Sequence, residues 1–212
     1  MTHIWLSEKV LVMKRILLIL ILTFSFQNWT RADDIRDFEI EGMSIGENLL
    51  DHFNKEELNL FAISFGTAHN GIEVSSHDKS QSNYYSLKKY DGLQVSYTKD
   101  SNIFYRIIGF SGTKWYDNDI KNCLKKKDEI KPDIETFLKS SIIDTFEEGK
   151  QKHWYDKSGK SFTYGTNYSL INNDMVYLDC FDWSEEMKFR DHLRITFSSS
   201  EYIDLVNNDY NK

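Results

Sequence analysis

His153 precedes Asp156 within a turn-like stretch, and His192 directly follows Asp191. An imidazole oriented by a carboxylate is the base of a hydrolytic site when a nucleophile lies on its other side. Serines are plentiful, but no Gly-x-Ser-x-Gly elbow occurs and the many carboxylates cannot be paired from spacing. Gly159-Lys160-Ser161 imitates the end of a phosphate-binding loop. Trp154 occupies the position of the required earlier glycine, and the segment falls between two apparent strands where the motif needs a strand and then a helix. A hairpin turn is the expectation there. Among His52, His69, His77, His153 and His192 no pair has the i, i+4 spacing of helical zinc ligands. His69, His77 and Asp78 share one polar loop, a poor metal site, and surface histidines are the better reading. No metal and no cofactor are expected. The aromatic residues are more suggestive. Trp115-Tyr116, Trp154-Tyr155 and Trp183 all fall at element ends or turns. Rigid rings placed there either form a recognition surface for protein, peptide or sugar, or lid the ends of the core.

The elements that would position these residues follow from periodicity. Ser44-Ile45-Gly46-Glu47 reads as a capping box opening a helix through Ile45, Leu49, Leu50 and Phe53, and Asn54 to Glu57 repeats the pattern up to Phe61. Residues 66–82 are polar and turn-rich and read mostly as loop. Strands are expected over 84–89, 93–98 and 103–110, as an antiparallel meander. Residues 117–130 carry a helical stripe through Ile120, Cys123 and Leu124. Pro132 should kink that helix or open a second one, with helical spacing continuing through Ile134, Phe137, Leu138, Ile142 and Phe146. Strands then return: a long one marked by Phe162, Tyr164, Tyr168 and Leu170, a hairpin at Asn172-Asn173-Asp174, and alternation that sets Val176, Leu178 and Cys180 on one side with Met175, Tyr177 and Asp179 on the other. Leu193, Ile195 and Phe197 alternate with Arg194 and Thr196, and Ser198 to Glu201 opens a C-terminal helix. No βαβ alternation occurs. The expected fold is α+β: an antiparallel sheet with helices packed on one face, in the order α-βββ-α-ββββ-α.

The N-terminal segment reads as an address. Met13-Lys14-Arg15 is a basic start, Ile16 to Phe26 carries no charge, and Thr30-Arg31-Ala32 is a small-residue cleavage site before Asp33. The apolar run is shorter than the roughly 20 residues of a bilayer span. The expectation is a signal peptide over residues 1–32, with Met13 as the more natural start, cleavage after Ala32 and one domain over 33–212. The alternative is an uncleaved anchor. The whole chain has 26 Lys and Arg against 33 Asp and Glu, a net charge of −7. The leader holds Lys9, Lys14, Arg15 and Arg31 against Glu8 alone, so the remainder stands at 22 against 32, or −10. Such a chain repels nucleic acid and anionic headgroups at long range. Cys123 and Cys180 are the two cysteines. In an oxidising compartment they are expected to form a disulfide clipping helix to sheet; otherwise they are two buried thiols.

Four segments carry a resemblance. They are 34–46 (Asp34 to Gly46), Cys123 to Ile130 with its Lys125-Lys126-Lys127 run, Asp156-Lys157-Ser158-Gly159-Lys160-Ser161, and Cys180-Phe181-Asp182-Trp183-Ser184. Together they resemble a family of short, signal-bearing proteins of marine alphaproteobacteria with AT-rich genomes. The resemblance covers nearly all of the chain after the leader. It implies a Gram-negative periplasmic setting and brings no catalytic or binding residues with it.

The sequence thus points to a periplasmic or secreted protein. Its leading functional reading is a non-enzymatic binding module for a protein or envelope component, using Trp115, Tyr116, Trp154, Tyr155 and Trp183. The alternatives are a small envelope hydrolase using His153 or His192, and a purely structural envelope protein.

Overall fold

The computed structural model describes residues 34–64, 70–76, 78, 81 and 84–210. The leader, His69 and His77 lie outside the described residues. Eight strands build one antiparallel sheet: β1 (Ala62–Ser64), β2 (Asn70–Ser75), β3 (Gly92–Lys99), β4 (Tyr105–Trp115), β5 (Ile142–Lys152), β6 (Phe162–Leu170), β7 (Met175–Asp182) and β8 (His192–Ser198). The spatial order is β1-β2-β3-β4-β8-β7-β6-β5. Each half of the chain is a meander of neighbouring strands, and the two halves join where β4 pairs with β8. Among the described residues the helices are α1 (Lys55–Leu60), α2 (Ile120–Phe137) and α3 (Ser200–Tyr210). The fold is α+β, as the periodicity predicts. No helix among the described residues is long and apolar enough to cross a membrane.

Period-two alternation gives the sheet two unlike faces. One carries Leu93, Val95, Phe110, Val176, Leu178, Cys180, Leu193 and Phe197, all buried. Phe197 sits at its centre, against the rings of Phe110 and Phe38. Helix α2 packs on this side, and the disulfide Cys123–Cys180 ties it to β7. On the other face the strand register lines up two rows across the middle of the sheet. Thr113, Arg194, Asp179 and Gly165 form one, on β4, β8, β7 and β6. Trp115, His192, Phe181 and Thr163 form the next. The first turn of α3 lies beyond these rows on the same side, with the Tyr202 ring over Gly109. Gly165 leaves room in the first row for the Asp179 carboxyl: a Cβ there would stand 2.8 Å from Asp179 Oδ1.

Local structure departs from the sequence reading at several places. The helix expected from Ser44 does not form. Gly46 has φ +94°, which breaks helical geometry, and its N–H donates to Ile107 O while Ile107 N–H donates to Glu47 O. The backbone is thereby stitched to β4, leaving only a 3-10 turn at Leu49–Asp51, capped by Asn48. The cap at Asn54 does open a helix, α1, with a complete capping box. Strand β2 lies inside the stretch expected to be loop, paired with β3 through Ile72 and Val74. Residues 84–89 form no strand. The N–H groups of Lys88, Lys89 and Tyr90 instead donate to the Glu41 carboxylate, and that long-range partner has no local signature. Helix α2 runs through Pro132 as one element to Phe137, without the bond that a proline cannot donate. Ile142 and Phe146 then belong to strand β5, not to a helix. Pairing with β6 overrides their helical spacing. The C-terminal helix starts one residue late, capped by Ser199, whose Oγ accepts from Tyr202 N–H and donates to Ile108 O.

Candidate binding cleft

A cleft of about 580 Å³ opens on the second face of the sheet, at the end where β4 and β7 finish and β8 begins. Its walls are a run of rings. Trp115 meets His192 edge-on at 5.3 Å between centroids, and His192 stacks on Phe181 at 4.4 Å. Phe181 lies 5.7 Å from His153, which packs against Trp183 at 4.3 Å. Trp183 meets Phe189 at 4.9 Å, and Phe189 leads to Tyr155 and then Trp154. Aromatic pairs at these separations hold one another in place and bury large areas. The outer end is open: Trp154 is 74% exposed, too much for a core lid.

The structure therefore brings together Trp115, Trp154, Tyr155, Trp183, His153 and His192, which no sequence proximity requires. Tyr116 goes elsewhere. It follows the last residue of β4, and its ring packs against the hydrophobic core. Phe181, Phe189 and Arg194 are cleft residues that the sequence reading did not select. Alternation had already set Arg194 on the side away from the core, which was the available signal.

Two buried aspartates hold the loops. Asp156 accepts hydrogen bonds from Ser158 N–H (2.8 Å), Ser161 N–H (2.9 Å), Ser161 Oγ (2.6 Å) and Ser184 Oγ (3.1 Å). These bonds, Ser161's foremost, keep its carboxyl well below the usual carboxylate range. The turn carrying Trp154 and Tyr155 is thus pinned to the segment carrying Trp183. Asp191 accepts from Trp183 N–H at 2.8 Å, closing the loop that holds Phe189.

Asp156 and Asp191 are consequently engaged with loop backbone and serines. His153 Nδ1 accepts from Tyr155 N–H at 3.3 Å, which assigns its proton to Nε2. His192 Nδ1 donates to Arg190 O at 2.9 Å. Burial lowers the pKa of both imidazoles, with Arg194 adding to the effect, and takes His192 down to about 4. At neutral pH both are uncharged rings in an aromatic wall. The geometry a hydrolase needs, an imidazole between a carboxylate and a nucleophile, is not assembled around either one among the described residues.

Arg194 lies in the floor, its guanidinium over the Phe181 ring at 4.4 Å. Burial lowers its pKa, opposed by Asp179, Tyr202 and Glu73. Across the row, burial pushes the Asp179 carboxyl up to about 6; Glu148 adds to the rise, while Arg194 and Lys127 oppose it. An unfolded aspartate ionises near 3.9. Folding therefore favours the protonated form. That contribution is complete below about pH 4 and is lost as pH rises through about 6. Asp179→Asn, which is neutral throughout, is expected to gain on wild type by on the order of 2 kcal/mol more at pH 8 than at pH 4. Urea unfolding at the two pH values measures this; an equal effect at both would contradict it.

Among the described residues no three His, Cys, Asp or Glu side chains gather to hold a metal ion. No known protein family, curated protein or solved structure matches the chain.

Proposed function

We propose that this chain is an exported, non-enzymatic binding module whose aromatic cleft takes a flat, ring-bearing group of a protein or envelope component. The observation that carries the reading is the continuous run of rings from Trp115 to Trp154, half-buried at one end and open at the other. Rings held this way present area to a ligand at little further entropic cost, which is how aromatic side chains serve recognition. The Cys123–Cys180 disulfide supports export, because such bonds persist in oxidising compartments. The resemblance to alphaproteobacterial exported proteins favours the periplasm.

The test is ligand-observed NMR with a panel of neutral indoles, phenols and methyl glycosides. At least one class is expected to bind the wild-type protein, and to bind Trp154→Ala/Tyr155→Ala roughly tenfold more weakly, a change of about 1.4 kcal/mol. A panel in which nothing binds would retire the cleft as a recognition site and favour the purely structural role.

A further inference from the structure

We propose that Arg194 makes this cleft selective for organic carboxylates: the ligand's carboxylate docks on the guanidinium while its ring lies along the Phe181 and Trp183 surface. The inference rests on the cleft being a recognition site and names the chemistry of what it takes.

Four arginines are described, and three of them have carboxylate partners. Arg36 pairs with Asp34 and Asp174, Arg106 with Asp100 and Glu201, and Arg190 with Asp117. Arg194 has no hydrogen bond and no ion pair among the described residues, although the chain has acidic groups in excess. Burial also lowers its pKa on balance, whereas the pKa values of Arg36 and Arg106 are raised on balance by their carboxylate partners. Arg194 is half-buried in the cleft floor, and an anion entering the cleft would supply the ion-pair partner that it lacks. The opposite charges that face it do not serve. Asp179 and Glu73 influence it from beyond ion-pair distance, and burial favours the protonated form of Asp179. Tyr202, the remaining group acting on it, belongs to α3.

The class of anion follows from the surroundings. A guanidinium over a ring keeps its in-plane N–H donors for a planar, two-oxygen acceptor. His192 and His153 beside it are neutral near pH 7, so the floor offers one full positive charge, which suits a monoanionic carboxylate better than a phosphate dianion. The walls on either side are the rings of Phe181, His192 and Trp115. Lys188, exposed at the rim, adds attraction for an anion approaching a protein that otherwise repels it.

The experiment compares indole-3-acetate with indole-3-acetamide by calorimetry on the wild-type protein and Arg194→Met. The acid is expected to bind wild type at least tenfold more tightly than the amide, and that preference is expected to vanish in R194M while amide binding persists. Equal affinities in wild type overturn the proposal. So does a preference that survives in R194M, which would assign it to the rim. Inorganic phosphate binding more tightly than indole-3-acetate overturns the carboxylate class. If neither indole binds but other neutral rings of the panel do, the anion inference fails and the cleft reading stands; if nothing binds, both fail. Should R194M not fold, the Nε–H signal of Arg194 in ¹⁵N-labelled wild type, assigned with Arg194→Lys, is expected to move with the acid only. A signal that moves equally with the amide overturns the proposal.

Discussion

Replacing Cys123 and Cys180 together by alanine is expected to lower the free energy of unfolding by about 4 kcal/mol. The bond closes a loop with a sequence separation of 57, and the chain-entropy model assigns a loop of that length roughly this value. Both cysteines are fully buried between α2 and β7, so their removal also takes contacts out of the core. For a domain whose total stability is of order 5–15 kcal/mol, that is a large share. The cleft is expected to survive the change, because β7 is paired along its length with β6 on one side and β8 on the other. Urea unfolding of the two forms, with tryptophan emission as a probe of the cleft, measures both statements. A loss below about 1 kcal/mol would show that the unfolded chain is already restrained without the bond. In a reducing compartment the native chain would stand at the lower stability, which is the physical link between the disulfide and export.

The second large effect is expected at Asp156. Asp156→Ala removes the carboxylate that accepts from Ser158 N–H, from Ser161 N–H and Oγ and from Ser184 Oγ, and so loosens the Trp154-Tyr155 turn from the Trp183 segment. Ring ligands would then have to order those side chains on binding, which is expected to weaken affinity roughly tenfold to a hundredfold. The sheet is expected to remain intact by far-UV circular dichroism, since the turn lies outside every strand. Asp156→Asn is expected to fall between, because the amide oxygen still accepts while its NH₂ faces further donors. Calorimetry with the tightest ring compound checks the order wild type, Asn, Ala. Unchanged affinity in Asp156→Ala would mean that aromatic packing, with the Ser184 N–H to Ser161 Oγ and His153 N–H to Ser161 O bonds, is enough to hold the turn. The pH dependence has a definite sign. The Asp156 carboxyl is held below its ordinary value, so its contribution is fully present above about pH 4 and is lost only as pH falls further. The turn is therefore expected to keep its place through mild acid.

Much of the architecture was legible because it depends on short-range pattern. Alternation over Val176 to Cys180 and Leu193 to Phe197 reports which side of a strand faces the core, and the structure follows it, with Ile195 only half-buried on that side. The Cys123–Cys180 pairing was legible for a simpler reason, there being two cysteines and a first segment whose pattern led us to expect export and oxidation. Errors arose where a distant partner decides the local conformation. Glu41 takes the N–H groups of 88–90, β4 takes the backbone of 46–47, and β6 draws Ile142 to Phe146 into a strand.

The site divides in the same way. The sequence by itself determined the ring types at the element ends, the carboxylates of the turns and the outward side of Arg194, since all of these are properties of neighbouring residues. Only the tertiary structure decided that His153, Trp183 and Phe189 would meet Trp115 and His192 around one cleft, that Tyr116 would turn into the core, and that Asp156 and Asp191 would hold loops instead of imidazoles. Those outcomes follow from the register of β4, β8 and β7, which places Trp115, His192 and Phe181 in one row across the sheet. Register is a relation between strands far apart in the chain, fixed by which faces can be buried together.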